Sequence, residues 1–396
     1  MREISNLNPA ILHKEVQEFI ENNLNVDIAK LIFKGSPFNN ITIQELVEQI
    51  ESKVRSKSKL PAFFNTSKLY YPNKLNIEQT SSEITANYKA NLISGNSIID
   101  LTGGFGVDCW AFTHTFKEVT HCEINSKLSA IACHNFKLLK KDIKVVSEDG
   151  IQYLQTQNQH FDWIYIDPSR RNDAKGKVFL LEDCQPNIPE NLDALFEFTD
   201  NILIKASPML DISSAMNELN FVKEVHVVAV QNEVKELLFI LKKSFSGSII
   251  VKAINSTKDT EQHFNGAFKS DAEADFSLVQ TYLYEPNSAI LKAGLFKEVS
   301  LQLKIHKLHI NSHLYTSNNL IDFPGRRFRI LQQLPYRPKK IKKELHMSQA
   351  NITVRNFPET VAQIRKKTKL KEGGNTYLFF TTDLNNKHIV LVCKKV

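Results

Sequence analysis

Four acidic residues each follow an apolar run in the first half of the chain. Asp100 ends the run SIID, Glu123 follows EVTHC, Asp149 follows IKVVSE, and Asp167 follows FDWIYI. Helix-like stretches separate these runs, which predicts parallel strands joined by crossover helices. Because the carboxyl ends of parallel strands meet along one edge of a sheet, we expect the four carboxylates to line one ligand-binding crevice.

A turn with three glycines, GGFG at residues 103–106, follows Asp100 and precedes a predicted helix. Its spacing differs from the G-x-G-x-x-G pattern that binds a pyrophosphate at a helix N-terminus. An anionic Asp100 would repel a diphosphate but suits a cationic ligand. S-adenosylmethionine carries an ammonium and a sulfonium, and its ribose diol needs a carboxylate acceptor that Glu123 is placed to supply.

This order of elements resembles the class I S-adenosylmethionine-dependent methyltransferases. The resemblance implies an α/β fold with a Rossmann-like, seven-stranded core. EQTSSEITANYKA, residues 78–90, resembles the pre-strand helix of RNA-modifying members, whose Gln and Ser side chains help to hold the amino-acid end of the cofactor. The cofactor-binding residues that the resemblance implies are Gln79, Ser81, Asp100, Thr102, Gly103, Gly104, Gly106, Val107, Glu123, Ile124, Asp149, Gly150 and Asp167.

The C-terminal half carries further similarity to this family. ANITVRNFP, residues 350–358, and RKKTKLKEGGNTYLFF, residues 365–380, resemble the module called THUMP-like, named for a domain of RNA-modifying enzymes. YEPNSAILKAG and LHINSHLYTS resemble the small ferredoxin-like insert that accompanies it in a bacterial family of candidate RNA methyltransferases. The resemblance covers roughly residues 60–396.

Four segments are predicted along the chain. Helical spacing in ILHKEVQEFI and ITIQELVEQI indicates a helical N-terminal module over residues 1–90. The S-adenosylmethionine-binding domain is expected over residues 91–256, closing near Ile254 with a hairpin from ELLFILK to SIIVKAI. A small ferredoxin-like α+β insert over residues 277–325 and a basic THUMP-like domain over residues 326–396 then follow.

Positive charge is concentrated near the C-terminus. The chain has 396 residues and a formal charge of +7, while residues 326–371, here called the basic segment, hold fourteen Lys and Arg against two acids. That segment therefore carries +12, and the remainder carries about −5. With Phe328 and Tyr336 near its cations, the basic segment predicts RNA binding through phosphate contacts and occasional stacking. A solvated surface is the alternative.

Asp167-Pro168-Ser169-Arg170 is the candidate reaction site. In methyltransferases that act on exocyclic amines, an Asp or Asn before Pro-Pro-aromatic surrounds the target nitrogen with oxygen acceptors, and the ring stacks on the base. Asp167 and Pro168 match that pattern, whereas Arg170 and Arg171 stand where the aromatic residue is missing. We predict catalytic roles for Asp167, Pro168 and Arg170. The arginines either pair with a substrate phosphate or lie in a solvated loop.

Other chemistries are disfavoured. Carbon methylation of a pyrimidine needs a cysteine nucleophile at the fourth or fifth strand end, and neither end has one; Cys184 is expected to be structural. His306 and His309 fall in an apparent alternating strand, LQLKIHKLHI, and would point to opposite faces, so no metal site, with or without His313, is predicted.

The cysteine pattern and the lack of a long apolar run predict the compartment. Five cysteines without a C-x-x-C pair argue against a disulfide framework and a zinc module. No apolar run is long enough to span a bilayer, and the N-terminal residues lack an apolar signal core. A cytoplasmic protein is expected.

The leading hypothesis is an S-adenosylmethionine-dependent methyltransferase that modifies a base amino group, guanine N2 or adenine N6, in structured rRNA or tRNA. One alternative is a methyltransferase of the same fold that acts on a small molecule or a protein. Another is a non-catalytic RNA-binding factor with a vestigial cofactor pocket. The sequence leaves the substrate, the methylated atom and the oligomeric state open.

Overall fold

The computed structural model describes residues 7–170, 180–338, 340–345 and 347–396. The chain divides into two compact units. The first comprises Met1–Lys223 and Leu237–Gly247, and the second comprises Glu224–Glu236 and Ser248–Val396.

The first unit begins with helices. After a short 3-10 turn they are α1 (Lys14–Asn22), α2 (Ile28–Lys34), α3 (Ile43–Lys59), α4 (Pro61–Asn65), α5 (Lys74–Gln79) and α6 (Glu83–Leu92). Ser82 starts α6, because its hydroxyl accepts a hydrogen bond from the backbone N–H of Thr85. The helix predicted before the first strand is thus confirmed.

Strands and helices then alternate. They are β1 (Gly95–Asp100), α7 (Val107–Phe112), β2 (Phe116–Cys122), α8 (Ser126–Leu138), β3 (Lys144–Val146), α9 (Gly150–Gln157), β4 (Trp163–Ile166), β5 (Ser169–Arg170), β6 (Cys184–Gln185), α10 (Ile188–Leu195), β7 (Asn201–Ala206), α11 (Ile212–Glu218), β8 (Val222–Val230) and β9 (Glu233–Lys242).

The strands of the first unit form a mostly parallel sheet in the order β3-β2-β1-β4-β7-β9, with β9 antiparallel to β7. The chain proceeds from β1 outward through β2 to β3, and then returns to β4 on the other side of β1. This reversal makes the carboxyl end of β1 a topological switch point, where sheets of this class bind ligands. The predicted Rossmann-like α/β fold is confirmed.

The second unit contains the C-terminal elements. They are β10 (Ile250–Ser256), β11 (Glu261–Ala267), β12 (Tyr282–Pro286), α12 (Ser288–Ala293), α13 (Phe296–Leu303), β13 (His306–Lys307), β14 (Tyr315–Ser317), β15 (Gly325–Pro335), α14 (Ile341–Glu344), β16 (Asn351–Arg355), α15 (Val361–Thr368), β17 (Thr376–Thr382) and β18 (His388–Lys395). Seven of these strands form one sheet in the order β13-β14-β12-β15-β18-β17-β16.

Two predictions for this region are wrong. SIIVKAI does not form a hairpin with ELLFILK, because β10 pairs in parallel with β8 and antiparallel with β11. A further strand of this sheet, β11, therefore follows Ile254 in the chain. LQLKIHKLHI is not one strand, since its first residues end α13 and two residues form β13. An alternating pattern indicates a strand but not its partner, and a short apolar pattern also fits a helix.

Among the described residues, no helix combines the length and apolar character needed to cross a membrane.

Candidate functional site

The structure brings the four predicted acids to one edge of the parallel sheet. Asp100 is the last residue of β1, and Glu123 and Asp167 come directly after β2 and β4. Asp149 follows β3 and caps α9, where its carboxylate accepts hydrogen bonds from the backbone N–H groups of Ile151 and Gln152 at 2.9 and 3.0 Å. Asp149 therefore caps this helix, and its role in binding the cofactor stays a prediction.

The glycine turn joins the ends of β1 and β2. The backbone N–H of Gly104 donates to Oε2 of Glu123 at 2.9 Å, while Oε1 of Glu123 accepts from the N–H of Asn125 at 2.7 Å. Gly104 and Gly106 have φ values of +55° and +86°, which L-residues with a side chain rarely adopt. The turn therefore requires glycine for its backbone conformation.

His121, which was not among the predicted site residues, packs against this turn. It is fully buried on β2, and its Nε2 lies 3.2 Å from the carbonyl oxygen of Gly104. Burial lowers the pKa of His121 to about 4, so the ring is neutral at neutral pH and Nε2–H is assigned as the donor. A Cβ at Gly103 would lie 2.3 Å from this ring, so the close approach also demands glycine. The available signal was a histidine within β2, two residues before Glu123.

Asp100 lies beneath the turn and is 2% exposed. It accepts hydrogen bonds from the backbone N–H of Thr102 at 2.8 Å, from Oγ1 of Thr102 at 3.1 Å and from the Cys109 thiol at 3.4 Å. Burial, with a smaller contribution from Asp108, raises its pKa to about 8. The sequence interpretation assumed an anionic Asp100, whereas a pKa of about 8 leaves this carboxyl mostly protonated at neutral pH. A cation beside it would favour the charged form.

A buried network centred on Asp108 joins α6, α7 and β4. Lys89, whose side chain is fully buried, lies 3.2 Å from Oδ1 of Asp108, and the hydroxyls of Ser81 and Tyr165 donate to Oδ2 at 2.8 and 2.9 Å. Burial alone would raise the pKa of Asp108, but the Lys89 and Lys205 ammonium groups lower it. Ser81, predicted to contact the cofactor, therefore donates to Asp108, and its cofactor contact stays a prediction.

The remaining predicted cofactor residues differ in exposure. Gln79 ends α5 and is exposed, Ile124 is 67% exposed beside Glu123, and Val107 is buried at the start of α7. Gly150 is buried at the start of α9, where a Cβ would lie 2.8 Å from Cα of Leu101. Gly150 thus allows close packing of α9 against the end of β1.

Asp167 has two fixed contacts. Its backbone N–H donates to Oγ1 of Thr102 at 2.7 Å, and its Oδ2 accepts from the ammonium of Lys205. Lys205 lies near the end of β7 and was not among the predicted site residues. No sequence pattern distinguishes Lys205, because a lysine at a strand end is ordinary until the neighbouring strand is known.

The segment after Asp167 contains Pro168 and then β5, which pairs antiparallel with β6 so that Arg170 lies opposite Cys184 in the backbone register. Arg171 lies outside the described residues, and Arg170 is described by its backbone alone. Cys184 is buried and is not part of a disulfide. The proposed phosphate contacts of both arginines remain predictions.

In the basic segment some cations are already paired. Glu285, on β12, binds Arg326 and lies 2.9 Å from Arg355. Phe328 is fully buried in the sheet core, so the expectation that it could stack on bases is wrong. The hydroxyl of Tyr336 donates to Glu359 at 2.6 Å. Exposed cations of the same segment include Arg329, Lys340, Lys343, Lys366, Lys369 and Lys371.

The histidines considered as metal ligands have other contacts. His309 lies within hydrogen-bond distance of Asn356 and Asn386 at 2.9 and 3.0 Å. His313 stacks on Phe296 with ring centroids 3.6 Å apart. No group of three or more His, Cys, Asp and Glu side chains able to hold a metal occurs within the described ranges.

Family models match the C-terminal part of the chain. The THUMP domain-like family matches residues 325–395, and a ferredoxin-like domain matches residues 282–324. None of the curated proteins matches the chain.

A solved structure is similar to nearly the whole chain. A candidate methyltransferase from Porphyromonas gingivalis W83 is 32% identical, with 98% of this chain and 99% of that chain covered and a TM-score of 0.89. A candidate class I S-adenosylmethionine-dependent methyltransferase from Listeria monocytogenes is 12% identical, with 62% and 94% covered and a TM-score of 0.39. The 16S rRNA methyltransferase of T. thermophilus, solved with AdoMet and guanosine, is 13% identical, with 43% of each chain covered and a TM-score of 0.32. The last two are too remote to bear on this chain.

Proposed function

This chain belongs to the family of the Porphyromonas gingivalis candidate methyltransferase, and we propose that it is an S-adenosylmethionine-dependent methyltransferase. The observation that carries the proposal is the contact between Gly104 and Glu123 at the switch point of the parallel sheet. It places a carboxylate acceptor against an open glycine turn, the arrangement that a ribose diol requires.

The residues at this edge fit the cofactor chemically. Glu123 would accept from the ribose hydroxyls, and the exposed Ile124 would pack against the adenine. The nearest atom to a Cβ built at Gly104 is 3.8 Å away, so space for a ligand lies over the turn. Asp100, beneath the turn, would gain negative charge as a cationic ligand approached.

The proposed substrate is a base amino group in structured rRNA or tRNA. Asp167, with 31% of its side chain exposed, supplies a carboxylate that can accept a hydrogen from the amine. The exposed cations of the basic segment, such as Lys366 and Lys371, suit phosphate contacts along an RNA backbone.

When bound, S-adenosylmethionine supplies an electrophilic methyl group on a sulfonium. The chain's own residues contribute mainly by positioning the substrate. Asp167 accepts a hydrogen bond from one N–H of the amine, which orients the acceptor nitrogen and localises its lone pair. The proton that the nitrogen loses passes to Asp167 and then to water.

Methyl transfer to RNA tests the proposal directly. The full chain is incubated with methyl-tritiated S-adenosylmethionine and total RNA from a strain that lacks the gene, and the digested nucleosides are identified by mass spectrometry. We expect label in one methylated base. Label in protein or small molecules but not in RNA would contradict the RNA substrate, and failure to bind S-adenosylmethionine would contradict the function as a whole.

A further inference from the structure

Lys205 lies opposite Asp167 at the carboxyl ends of two adjacent strands. The register of β4 and β7 pairs Ile166 with Ile204, so the next residues of the two strands are Asp167 and Lys205. The lysine ammonium contacts Oδ2 of Asp167, and the lysine side chain is 12% exposed while that of Asp167 is 31% exposed. The ion pair is therefore shielded on its lysine side and open on its aspartate side.

Asp167 is also fixed through its backbone, whose N–H donates to Oγ1 of Thr102 at 2.7 Å. Oγ1 of Thr102 in turn donates to Asp100, so these two hydrogen bonds connect Asp167 to the carboxyl group at the end of β1. Within the part of the chain that the structure describes, the contacts of the Asp167 carboxylate involve Oδ2. The other oxygen, Oδ1, is the one that can receive a substrate hydrogen.

We propose that Lys205 is a positioning residue for methyl transfer, an inference that rests on the function proposed above. Its ammonium contacts one oxygen of the Asp167 carboxylate. By holding Oδ2 it also fixes the direction in which Oδ1 points. A carboxylate without this partner would rotate more freely, so that Oδ1 would face the substrate amine for less of the time.

The ion pair also limits the chemical class of the acceptor. A charged Asp167 accepts hydrogen bonds but cannot donate one, so the reacting nitrogen must carry a hydrogen. A base amino group meets this condition, whereas the N7 position of guanine does not. In the transfer, the nitrogen–carbon bond forms, the carbon–sulfur bond breaks with its electron pair left on sulfur, and the nitrogen loses one proton to Asp167.

The test compares Lys205→Gln, Lys205→Arg, Asp167→Asn and the double variant Asp167→Asn/Lys205→Gln in the full chain. Lys252→Gln is the matched control, because it removes a part-exposed lysine from an ion pair with Glu224 that has no place in the site. Each protein is assayed for kcat and KM with total RNA from the gene-deletion strain, for S-adenosylmethionine affinity by calorimetry, and for unfolding in urea.

We expect Lys205→Gln to lower kcat by at least about tenfold, with KM for RNA and cofactor affinity within about twofold of the original protein. Lys205→Arg should restore most of the rate, and Lys252→Gln should not change it. In the Asp167→Asn background, Lys205→Gln should cause no further loss, because its effect acts through Asp167. The urea data should show coupling between the two residues in the ligand-free protein.

Several results would overturn the inference while the methyltransferase function stood. They are an unchanged kcat for Lys205→Gln, losses that multiply in the double variant, no coupling in urea, or a product methylated at guanine N7. If the original protein transfers no methyl group to RNA, the proposed RNA function fails, and the inference falls with it.

Discussion

The backbone N–H of Gly104 donates a hydrogen bond to Oε2 of Glu123 across 2.9 Å, which joins the glycine turn after β1 to the acid after β2. The same carboxylate caps the next turn through the N–H of Asn125. Glu123 therefore accepts from two backbone N–H groups, and a ribose diol would approach a carboxylate whose position these contacts fix.

Glu123→Ala should weaken S-adenosylmethionine binding by roughly ten- to a hundredfold, because hydrogen bonds to a charged group contribute about 1.5–3 kcal/mol. Glu123→Gln is the matched control, since it keeps an oxygen for the N–H of Gly104 but loses the charge, and its effect should be smaller. Isothermal calorimetry measures both affinities. Binding by Glu123→Ala at the original affinity would remove Glu123 from the cofactor site.

Gly104 and Gly106 should differ in their tolerance of alanine. At Gly104 a Cβ meets no atom nearer than 3.8 Å, so Gly104→Ala should cost about 1–2 kcal/mol for the left-handed backbone alone. At Gly106 a Cβ would lie 2.3 Å from the Phe136 ring, and Gly106→Ala should cost clearly more. Free energies of unfolding in urea give the comparison, and equal costs would contradict the packing described for Phe136.

Asp100 should make the protein less stable as pH rises. Its pKa is about 8 in the folded protein and 3.8 in the reference state, so between these values the folded protein binds more protons than the unfolded chain. Stability should fall between about pH 4 and pH 8, by on the order of a few kcal/mol. Asp100→Asn should flatten this dependence, whereas Asp142→Asn, at an exposed position, should not.

Urea unfolding at a series of pH values measures these slopes. An Asp100→Asn variant whose stability changes with pH as the original protein's does would show that Asp100 ionises normally in the fold.

RNA binding should weaken steeply with salt, because each phosphate contact contributes about 0.7–0.9 to the slope of log affinity against log salt concentration. Replacing the exposed Lys366 and Lys371 by glutamine should lower that slope, whereas Lys30→Gln, on the N-terminal helix α2, should not. Fluorescence anisotropy with labelled RNA at several salt concentrations measures it. An affinity that does not depend on salt would favour a small-molecule or protein substrate.

The sequence was sufficient for the parallel sheet and the positions of its acids. Buried parallel strands are apolar on both faces, so the runs ending near Asp100 and Asp167 are recognisable without a structure. The glycine turn was equally clear, because a positive φ leaves few alternatives to glycine. These features depend on residues that are neighbours in the chain.

Features that depend on pairing between distant residues could not be predicted. Lys205 contacts Asp167, which lies 38 positions away in the sequence, and Tyr165 contacts Asp108, which lies 57 positions away. The partner of β10 is likewise set by the order of the sheet, which led to the wrong hairpin. Burial of Phe328 follows from the strand face it occupies, and composition alone does not determine that face.

The most direct test of the central claim is a crystal structure of the full chain with S-adenosylhomocysteine. We predict that the ribose hydroxyls lie within hydrogen-bond distance of the Glu123 carboxylate, with the ligand's sulfur facing Asp167 at the end of β4. Ligand bound elsewhere, with Glu123 still occupied by Gly104 and Asn125, would contradict the claim that these strand ends form the cofactor site.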